Sequence, residues 1–232
     1  MILYDLVNRH KTHFSPNSWR VRMALAHKSL DFEVRDVLFG TIKDISPEQK
    51  RTIPTIDHGG RLVTDSWAIV KYLDEAFPDT PRLIAPGTDG HVTQFFQYWV
   101  QTTVHAGIAR LILLDLHDSL HPSDQAYFRA SREKQFHKTL EEVQAGREER
   151  ADAFQKSLQP LRLAVGSHGF VGGESPCYAD YLAFGGFQWA RTSSPFQLLA
   201  KDDLVHGWFE RCLDLYGGMG RKEAAAQQTP AE

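Results

Sequence analysis

The sequence of 232 residues predicts an α/β amino-terminal half followed by an all-α carboxy-terminal half. Three observations lead to this prediction. Short runs rich in β-branched and aromatic residues alternate with helix-like runs over about the first 80 residues. A stretch rich in Pro, Gly, Asp and Thr follows at residues 77–90. Beyond it the β-rich alternation disappears, and apolar residues recur at intervals of three and four.

The first strand and the first helix are predicted from an apolar run and a capping motif. Residues 2–6 have the pattern of a short apolar strand. The Ser-Pro-Asn-Ser motif at residues 15–18 then opens a helix, because Ser is a favoured N-cap and Pro fits the first helical position. Dense apolar residues at 19–26 favour a helix packed on a sheet, ending near the cations of residues 27–28.

Three further strands and a second helix complete the predicted amino-terminal half. Strand patterns occur at residues 32–37, 55–57 and 62–64. The last two flank a Gly pair, so they are predicted to form a hairpin. Asp65 and Ser66 follow the hairpin directly and are predicted to cap an amphipathic helix.

The carboxy-terminal half is predicted to be helical. Helical spacing runs through residues 91–120, 123–166, 178–189 and 204–215. A charged run at 146–150 interrupts the second segment, either as a turn between helices or as a solvated helix face. From Gly217 the composition becomes rich in Gly, Ala, Gln and Pro, which favours a mobile tail. The predicted boundaries are 1–80 for the first domain, 81–90 for a linker, 91–220 for the helical domain and 221–232 for the tail.

Composition argues against several classes of function. The net charge of −3, with both signs interspersed, provides no basic surface for nucleic acid. No apolar run reaches the roughly 20 residues that span a bilayer, and no signal segment precedes the first strand, so we expect a cytoplasmic protein with no membrane partner. Cys177 and Cys212 have neither disulfide nor zinc spacing. His117 and His121 lack an evident third ligand, so no metal site is predicted.

The motif at residues 15–18 places two hydroxyls where a disulfide oxidoreductase carries two thiols. In a strand-then-helix context, a C-P-x-C motif uses the helix N-terminus to lower a cysteine pKa. Serine cannot perform this chemistry, and neither Cys177 nor Cys212 lies in the first predicted domain. If the site acts on sulfur, the thiol must therefore arrive with a ligand. Taken alone, Ser15 is better explained as a helix cap.

The whole pattern resembles the cytosolic glutathione transferase superfamily. The resemblance rests on a β-α-β-β-β-α half, a helical half and four short motifs. The motifs are Ser-Pro-Asn-Ser-Trp-Arg at 15–20, Asp-Ser-Trp at 65–67, Tyr-Ala-Asp-Tyr at 178–181 and Gln-Trp-Ala-Arg at 188–191. Within the superfamily, the chain is most similar to serine-type transferases around the bacterial β-aryl etherases and their fungal etherase-related (FuA-like) relatives. The resemblance implies a thioredoxin-like amino-terminal domain that binds glutathione and an all-α carboxy-terminal domain.

The resemblance implies that Ser15, at the start of the first helix, is catalytic. Its hydroxyl would donate a hydrogen bond to the thiolate of glutathione, the co-substrate, beside the positive end of the helix. Ser18 is the second candidate hydroxyl, and Asn17 could donate through its amide.

Other residues are implied to bind the rest of glutathione. By resemblance, the bond between Ile53 and Pro54 is cis, and the main chain of Ile53 pairs with the cysteinyl part of the ligand. Asp65 would pair with the ammonium group, while Ser66 and the helix amides receive the α-carboxylate. The candidates for the glycyl carboxylate are Arg51, which is preferred, Lys50 and Gln49.

The implied activity is transfer of glutathione to an electrophile held in an apolar pocket of the helical half. The etherase-like resemblance implies an aromatic acceptor, such as a lignin-type aryl ether with an α-ketone, and the superfamily implies a homodimer. Aromatic residues that could line this pocket, or belong to the core, are Tyr98, Trp99, Phe184, Phe187 and Trp189. The alternative is a protein of the same fold that binds aromatic ligands with little or no turnover. A thiol reductase is disfavoured because Ser15 cannot form a mixed disulfide.

Overall fold

The computed structural model describes residues 1–45, 52–85, 87 and 90–226. Its amino-terminal half contains a four-stranded sheet. The strands are Ile2–Leu6 (β1), Glu33–Val37 (β2), Thr55–His58 (β3) and Arg61–Thr64 (β4). The helices are Pro16–His27 (α1), Ile42–Ile45 (α2) and Ser66–Ala76 (α3). The predicted thioredoxin-like half is confirmed, with α2 and the 3-10 turn Phe39–Thr41 added in a polar stretch where the sequence predicted no element.

The sheet has the strand order β2-β1-β3-β4. β1 runs parallel to β2 and antiparallel to β3, and β3 pairs antiparallel with β4. Leu3 lies between Val34 and Ile56 in the register, and both Leu3 and Ile56 are fully buried. A parallel pair needs a crossover connection, and α1 provides it between β1 and β2. The start of α1, with Ser15 as its cap, therefore follows the carboxyl end of β1.

The carboxy-terminal half is helical, as predicted. Its helices are His91–Trp99 (α4), Ala106–Ser119 (α5), Pro122–Phe136 (α6), Leu140–Gln144 (α7), Arg147–Ser157 (α8), Gln159–His168 (α9), Tyr178–Ser193 (α10) and Leu204–Lys222 (α11). A π-helical segment, Val100–His105, joins α4 to α5. Among the described residues, no helix is long and apolar enough to cross a membrane.

The charged run at 146–150 combines both alternatives: Gly146 lies in the turn between α7 and α8, and residues 147–150 form the first turn of α8. Gly146 has φ of +65°, a conformation that glycine adopts without strain, and α8 begins directly after it. Arg147 pairs with Asp115 of α5 at 2.6 Å, and Arg150 donates to the carbonyl of Val143 at 2.7 Å. Cations of this run therefore connect α8 to the neighbouring helices.

The two halves meet where α10 crosses the start of α1. A β-carbon built on Gly185 would lie 2.2 Å from the carbonyl oxygen of Pro16, so only glycine fits at this crossing. Phe184, the neighbour of Gly185, packs edge to face against Trp19, one turn after Pro16, with ring centroids 6.0 Å apart. Both of these aromatic side chains are fully buried. The position of Ser15, which precedes Pro16, is therefore set by packing against the helical half.

Asp180 holds the start of α10 through main-chain and side-chain contacts. Its carboxylate, which is fully buried, accepts hydrogen bonds from the amides of Cys177 at 2.9 Å, Val171 at 2.8 Å and Gly172 at 3.1 Å. It also accepts one from the indole nitrogen of Trp208 on α11, at 2.8 Å. One carboxylate thus joins α10, the loop before it and α11.

Residues 221–226, the described part of the expected tail at 221–232, follow a break in α11 and contact the rest of the protein. Non-helical backbone at 215–218 breaks α11, and Gly217 and Gly218 adopt positive φ angles there. The chain then turns back, and the carbonyl of Gly220, a buried residue, accepts a hydrogen bond from Gln188 at 2.8 Å. Residues 227–232 lie outside the described part of the chain.

Beyond this break, Glu223 contacts the amino-terminal half. Its carboxylate accepts a hydrogen bond from the amide of His13 at 3.0 Å and lies 3.2 Å from the imidazole of the same residue. Arg22 of α1 approaches the carboxylate to 3.4 Å. The chain's last described residues are thus attached to the loop that precedes Ser15, which the composition of this segment did not indicate.

Candidate active site

A cavity of about 580 Å³ lies between the two halves at the start of α1. Ser15, Asn17 and Ile53 line it from the amino-terminal half, and residues of α5, α6 and α10 line it from the helical half. Its volume is typical of a small-molecule site. A second cavity, of about 450 Å³, lies between α10 and α11; Phe187 lines it, but none of the predicted catalytic or glutathione-binding residues does.

Ser15 caps α1 and also lines the cavity. Its backbone is extended, with φ of −64° and ψ of 119°, and its Oγ accepts a hydrogen bond from the amide of Ser18 at 3.3 Å. The side chain sits at the cavity wall in a residue that is only 4% exposed. A hydroxyl can donate and accept at the same time. Because the cap uses only the oxygen as an acceptor, the O–H of Ser15 remains available to a ligand in the cavity.

Of the two other catalytic candidates, the structure brings only Asn17 to the cavity. Asn17 is half-buried and lines the wall beside Ser15. Ser18 is fully buried and lies next to the Asp5 carboxylate of β1, so the prediction of a catalytic Ser18 hydroxyl is not supported by its position. Burial raises the pKa of Asp5, an effect that Arg22, paired with it at 2.9 Å, opposes together with Ser18. Ser18 thus belongs to a buried polar cluster between α1 and the sheet.

The segment that leads into β3 contributes the next wall. The bond between Ile53 and Pro54 is cis, as predicted. Ile53 is half-buried and lines the cavity together with Thr52. Arg51, proposed for the glycyl carboxylate, lies outside the described residues, as do the alternatives Lys50 and Gln49.

Asp65 and Ser66 lie at the start of α3 and are not part of the cavity wall. Asp65 caps the helix in a left-handed backbone conformation, with φ of +74°, which is uncommon for a residue other than glycine. Its Oδ1 accepts the amides of Trp67 and Ala68, each at 3.0 Å. Both bonds use one oxygen, so Oδ2 can accept a hydrogen bond from a ligand. The same bonds occupy two of the helix amides that were expected to receive a carboxylate, which leaves Ser66 for that role.

Arg20 is a buried cation near Asp65 for which the sequence predicted no role. It is fully buried on α1, and none of its guanidinium nitrogens has an aligned hydrogen-bond partner among the described residues. Burial lowers the pKa of Arg20, while the Tyr178 hydroxyl and the Asp65 carboxylate partly offset this effect. The signal in the sequence was a cation inside an otherwise apolar helix face. The guanidinium of Arg20 and the carboxylate of Asp65 are close enough for their opposite charges to interact.

Much of the cavity wall is aromatic. Rings that line it are Phe14, Phe39, Tyr127, Phe128, Phe136 and Trp189. Of the aromatic residues proposed from the sequence, only Trp189 is among them, whereas Phe184 and Phe187 are buried in the core and Tyr98 is exposed. His105 also lines the cavity, and burial together with the nearby charge of Arg20 holds its pKa well below the ordinary value. His105 is therefore neutral at neutral pH.

Two family profiles match most of the chain. Residues 10–81 match "Glutathione S-transferase, N-terminal domain", and residues 92–214 match "Glutathione S-transferase, C-terminal domain". Among solved structures, glutathione transferase GSTFuA2 from Phanerochaete chrysosporium is 29% identical, with a TM-score of 0.74 over 97% of this chain and 98% of that one. A glutathione S-transferase of Ceriporiopsis subvermispora in complex with glutathione is 25% identical, with a TM-score of 0.78 over 93% of this chain and 95% of that one.

The first curated relatives match a shorter part of the chain. A probable glutathione S-transferase, GSTU1 of Oryza sativa subsp. indica, is 43% identical over 79 residues, which cover 33% of this chain and 34% of the relative. The chain thus spans about a third of the length of the first curated relatives that it matches. The carboxy-terminal profile alone, at residues 92–214, covers more than half of the 232 residues. With the amino-terminal profile on the thioredoxin-like half as well, the chain belongs to the glutathione S-transferase family.

Proposed function

We propose that this protein is a serine-type glutathione transferase in which Ser15 stabilises the glutathione thiolate for attack on an aromatic electrophile. The observation that carries the proposal is the Ser15 hydroxyl, which caps α1 with its oxygen while its O–H is left to donate at the wall of the cavity. The catalytic role of Ser15 is donation of this hydrogen bond. Asn17, on the same wall, is a second donor to sulfur.

The thiolate is stabilised by about as much as one charged hydrogen bond supplies. Such a bond contributes roughly 1.5–3 kcal/mol, which corresponds to a fall of about one to two units in the thiol pKa. From a free thiol near 8.5, this fall makes about half or more of the bound glutathione thiolate at neutral pH. The positive end of α1 acts in the same direction. The proton leaves to solvent, and the ionised sulfur faces the aromatic wall.

The remaining groups of glutathione are assigned by the expected binding mode of the family. The main chain of Ile53, next to cis Pro54, pairs with the cysteinyl part. The Oδ2 of Asp65 accepts from the ammonium group, because its Oδ1 is occupied by the helix cap. Ser66 receives the α-carboxylate, and Arg51 receives the glycyl carboxylate.

The proposed acceptor is aromatic, and a β-aryl ether with an α-ketone is the specific candidate. The thiolate attacks the ether-bearing carbon, a C–S bond forms, the C–O bond breaks and the phenolate leaves with the electron pair. The aromatic wall formed by rings such as Tyr127 and Phe128 supports this substrate class. The likeness to the fungal GSTFuA2 also supports it. We place the enzyme in the cytoplasm.

A homodimer is the proposed assembly. Val92, Phe95 and Tyr98 recur at a spacing of three residues on α4 and are 66%, 74% and 52% exposed. A ridge of large apolar side chains on one helix face is typical of a surface that another protein covers. A second copy of this chain is the partner that the family implies.

The proposal is tested by steady-state glutathione consumption with aryl-ether ketones and halogenated nitroaromatics, beside a calorimetric glutathione titration. Turnover that falls in Ser15→Ala and is retained in Ser18→Ala supports it, because Ser18 lies away from the cavity. Glutathione binding without turnover of any acceptor would favour a ligand-binding protein instead. Failure to bind glutathione would remove the assignments of Ile53, Asp65 and Ser66.

A further inference from the structure

The acceptor end of the cavity carries positive charge that no acidic residue balances. Arg110 and Arg132 both line the cavity. Among the described residues that form its wall, none is an aspartate or a glutamate. His105, the remaining titratable base of the wall, is neutral at neutral pH. An aromatic pocket built only for neutral electrophiles has no need of an unbalanced cation, because desolvating a charge is unfavourable.

Arg132 is the more buried of the two arginines. It lies on α6 with its guanidinium over the ring of Phe128, 5.0 Å from the centroid. Its one hydrogen bond within the described chain goes to the Oγ of Ser131, at 3.3 Å, and it forms no ion pair there. Burial lowers the pKa of Arg132. A guanidinium has five N–H groups, so most of its donors remain free for a ligand.

Arg129, one turn earlier on α6, shows what an arginine of this helix does when its partners are in the chain. It pairs with Glu133 at 2.9 Å and with Glu141 at 3.0 Å, and the hydrogen bonds that it donates to these carboxylates raise its pKa. Arg129 does not line the cavity. The two arginines therefore differ in a specific way: Arg129 is satisfied inside the protein, whereas Arg132 faces the cavity with its charge unpaired by any described residue.

We propose that Arg132 binds a carboxylate on the electrophilic acceptor, so that the preferred substrates are aromatic electrophiles carrying an acidic group. The guanidinium matches a carboxylate in a two-pronged geometry, and the ring of Phe128 holds it in place. Arg110, which is exposed, attracts the anion at the mouth of the cavity. This inference rests on the proposed function and narrows its substrate class.

A carboxylate in this cavity could come from two sources, the acceptor or the glycyl end of glutathione. A pair of acceptors that differ only in charge separates them. In 4-chloro-3-nitrobenzoate and its methyl ester, the thiolate attacks the chlorine-bearing carbon, a C–S bond forms, and chloride leaves with the electron pair of the broken C–Cl bond. If Arg132 binds the carboxylate of the acceptor, substitution of Arg132 lowers kcat/KM for the acid alone. If it binds the glycyl carboxylate of glutathione, the same substitution affects both acceptors and the KM for glutathione.

The test compares wild type, Arg132→Met, Arg132→Lys and the matched control Arg129→Met with both acceptors. We expect Arg132→Met to lower kcat/KM for the acid by about tenfold to a hundredfold, as loss of a charged hydrogen bond requires, and for the ester by less than about threefold. We expect Arg132→Lys to keep part of the preference for the acid over the ester, and Arg129→Met to keep all of it. Equal losses for both acceptors, or a rise in the KM for glutathione alone, would overturn the inference.

Failure of the proposed function is distinguished by a binding experiment. If wild type turns over neither of these acceptors nor any aryl-ether ketone, the transferase proposal is contradicted. Tryptophan fluorescence titration with unreactive 4-methyl-3-nitrobenzoate and its methyl ester then decides the inference by itself. Tighter binding of the acid that is lost in Arg132→Met supports an anion site in the cavity, and equal binding of acid and ester refutes it.

Discussion

The amide of Ser18 donates a hydrogen bond to the Oγ of Ser15 over 3.3 Å. This contact makes Ser15 a structural residue of α1 and, at the same time, orients the one hydroxyl that faces the proposed thiolate site. The two roles use different parts of the same group, the lone pair for the cap and the proton for the ligand. They can therefore be separated by substitution.

Ser15→Ala and Ser15→Asp separate the cap from the thiolate donor. Alanine removes both, and we expect it to lower stability by about 1 kcal/mol and turnover by about ten- to hundredfold. Aspartate keeps a capping acceptor but places no donor beside the sulfur, so stability should return while activity does not. The bound thiol pKa rises in both variants, which moves the pH-rate profile to higher pH. Urea unfolding and pH-rate profiles give both quantities, and recovered activity in Ser15→Asp would contradict the assignment.

Arg20→Met tests the buried cation beneath Asp65. Its guanidinium is fully buried without an aligned hydrogen bond, so replacing it by an apolar side chain of similar length should leave stability unchanged or raise it. Loss of the positive charge near Asp65 should raise the KM for glutathione several-fold while kcat changes less. Thermal melts and glutathione titrations measure the two effects. A large fall in melting temperature with an unchanged KM would show that Arg20 serves the fold alone.

Asp180→Ala should destabilise the helical half strongly. The variant leaves the amides of Cys177, Val171 and Gly172 and the indole of Trp208 without their acceptor. Because each unsatisfied buried donor costs about 1–3 kcal/mol, we expect a total loss of at least about 3 kcal/mol. The control is Asp152→Asn on exposed α8, expected to change stability by less than about 0.5 kcal/mol. Denaturant unfolding provides the comparison, and a loss below about 1 kcal/mol in Asp180→Ala would contradict this account.

Phe95→Glu should convert the proposed dimer to a monomer. Phe95 is the most exposed member of the apolar ridge on α4, and a carboxylate there would be desolvated by a second copy. Light scattering after gel filtration should give twice the 26.3 kDa chain mass for wild type and a single chain mass for the variant. The control is Leu163→Glu, at an exposed position of α9, which we expect to have the same mass in solution as wild type. A wild-type monomer would reject the proposed assembly.

Glu223→Gln tests the contact between the end of the chain and the loop before Ser15. Although burial favours the protonated acid, hydrogen bonds from His13 and the charge of Arg22 lower the pKa of Glu223. A lowered pKa means that its contribution to stability is present above the unfolded value of about 4.3 and is lost as pH falls through the folded value. The variant should therefore be less stable than wild type at pH 7, with a difference that disappears as the pH falls through the lowered pKa of Glu223. Urea unfolding across this range measures it, and a constant difference would point to packing instead.

Local signals were enough to predict much of the fold. The cap at Ser15, the hairpin before Asp65 and the cap at Asp65 each depend on a few neighbouring residues, and the structure contains all three. Local signals did not predict the segment after Gly217, because its contacts are with residues far away in the sequence. Glu223 accepts a hydrogen bond from His13, which lies 210 positions earlier in the chain. A composition rich in small residues indicated mobility, whereas the glycines allow the backbone to turn back.

The site was predictable to the same extent. Ser15, Asn17 and Ile53 share one cavity wall, as expected from the strand-then-helix motif and the resemblance. Ser18 lies on the face of α1 that packs against Asp5 of β1, and not on the face that lines the cavity. The significance of Arg20 and Arg132 is not evident from the sequence alone, since it depends on their burial and on the contacts that they make within the described chain.

The contact between Gly185 and Pro16 makes the start of α1 depend on the helical half of the protein. The amino-terminal half has the outline of an independent thioredoxin-like module, yet Pro16, the first residue of its proposed catalytic helix, rests directly on α10 at Gly185. Separated from the helical half, this module would expose Trp19 and lose the surface against which the start of α1 is set. The proposed site therefore depends on both domains, although the chain divides between them. We expect that exchanging the helical domain with that of a relative would change both the acceptor and the position of Ser15 relative to the glutathione sulfur.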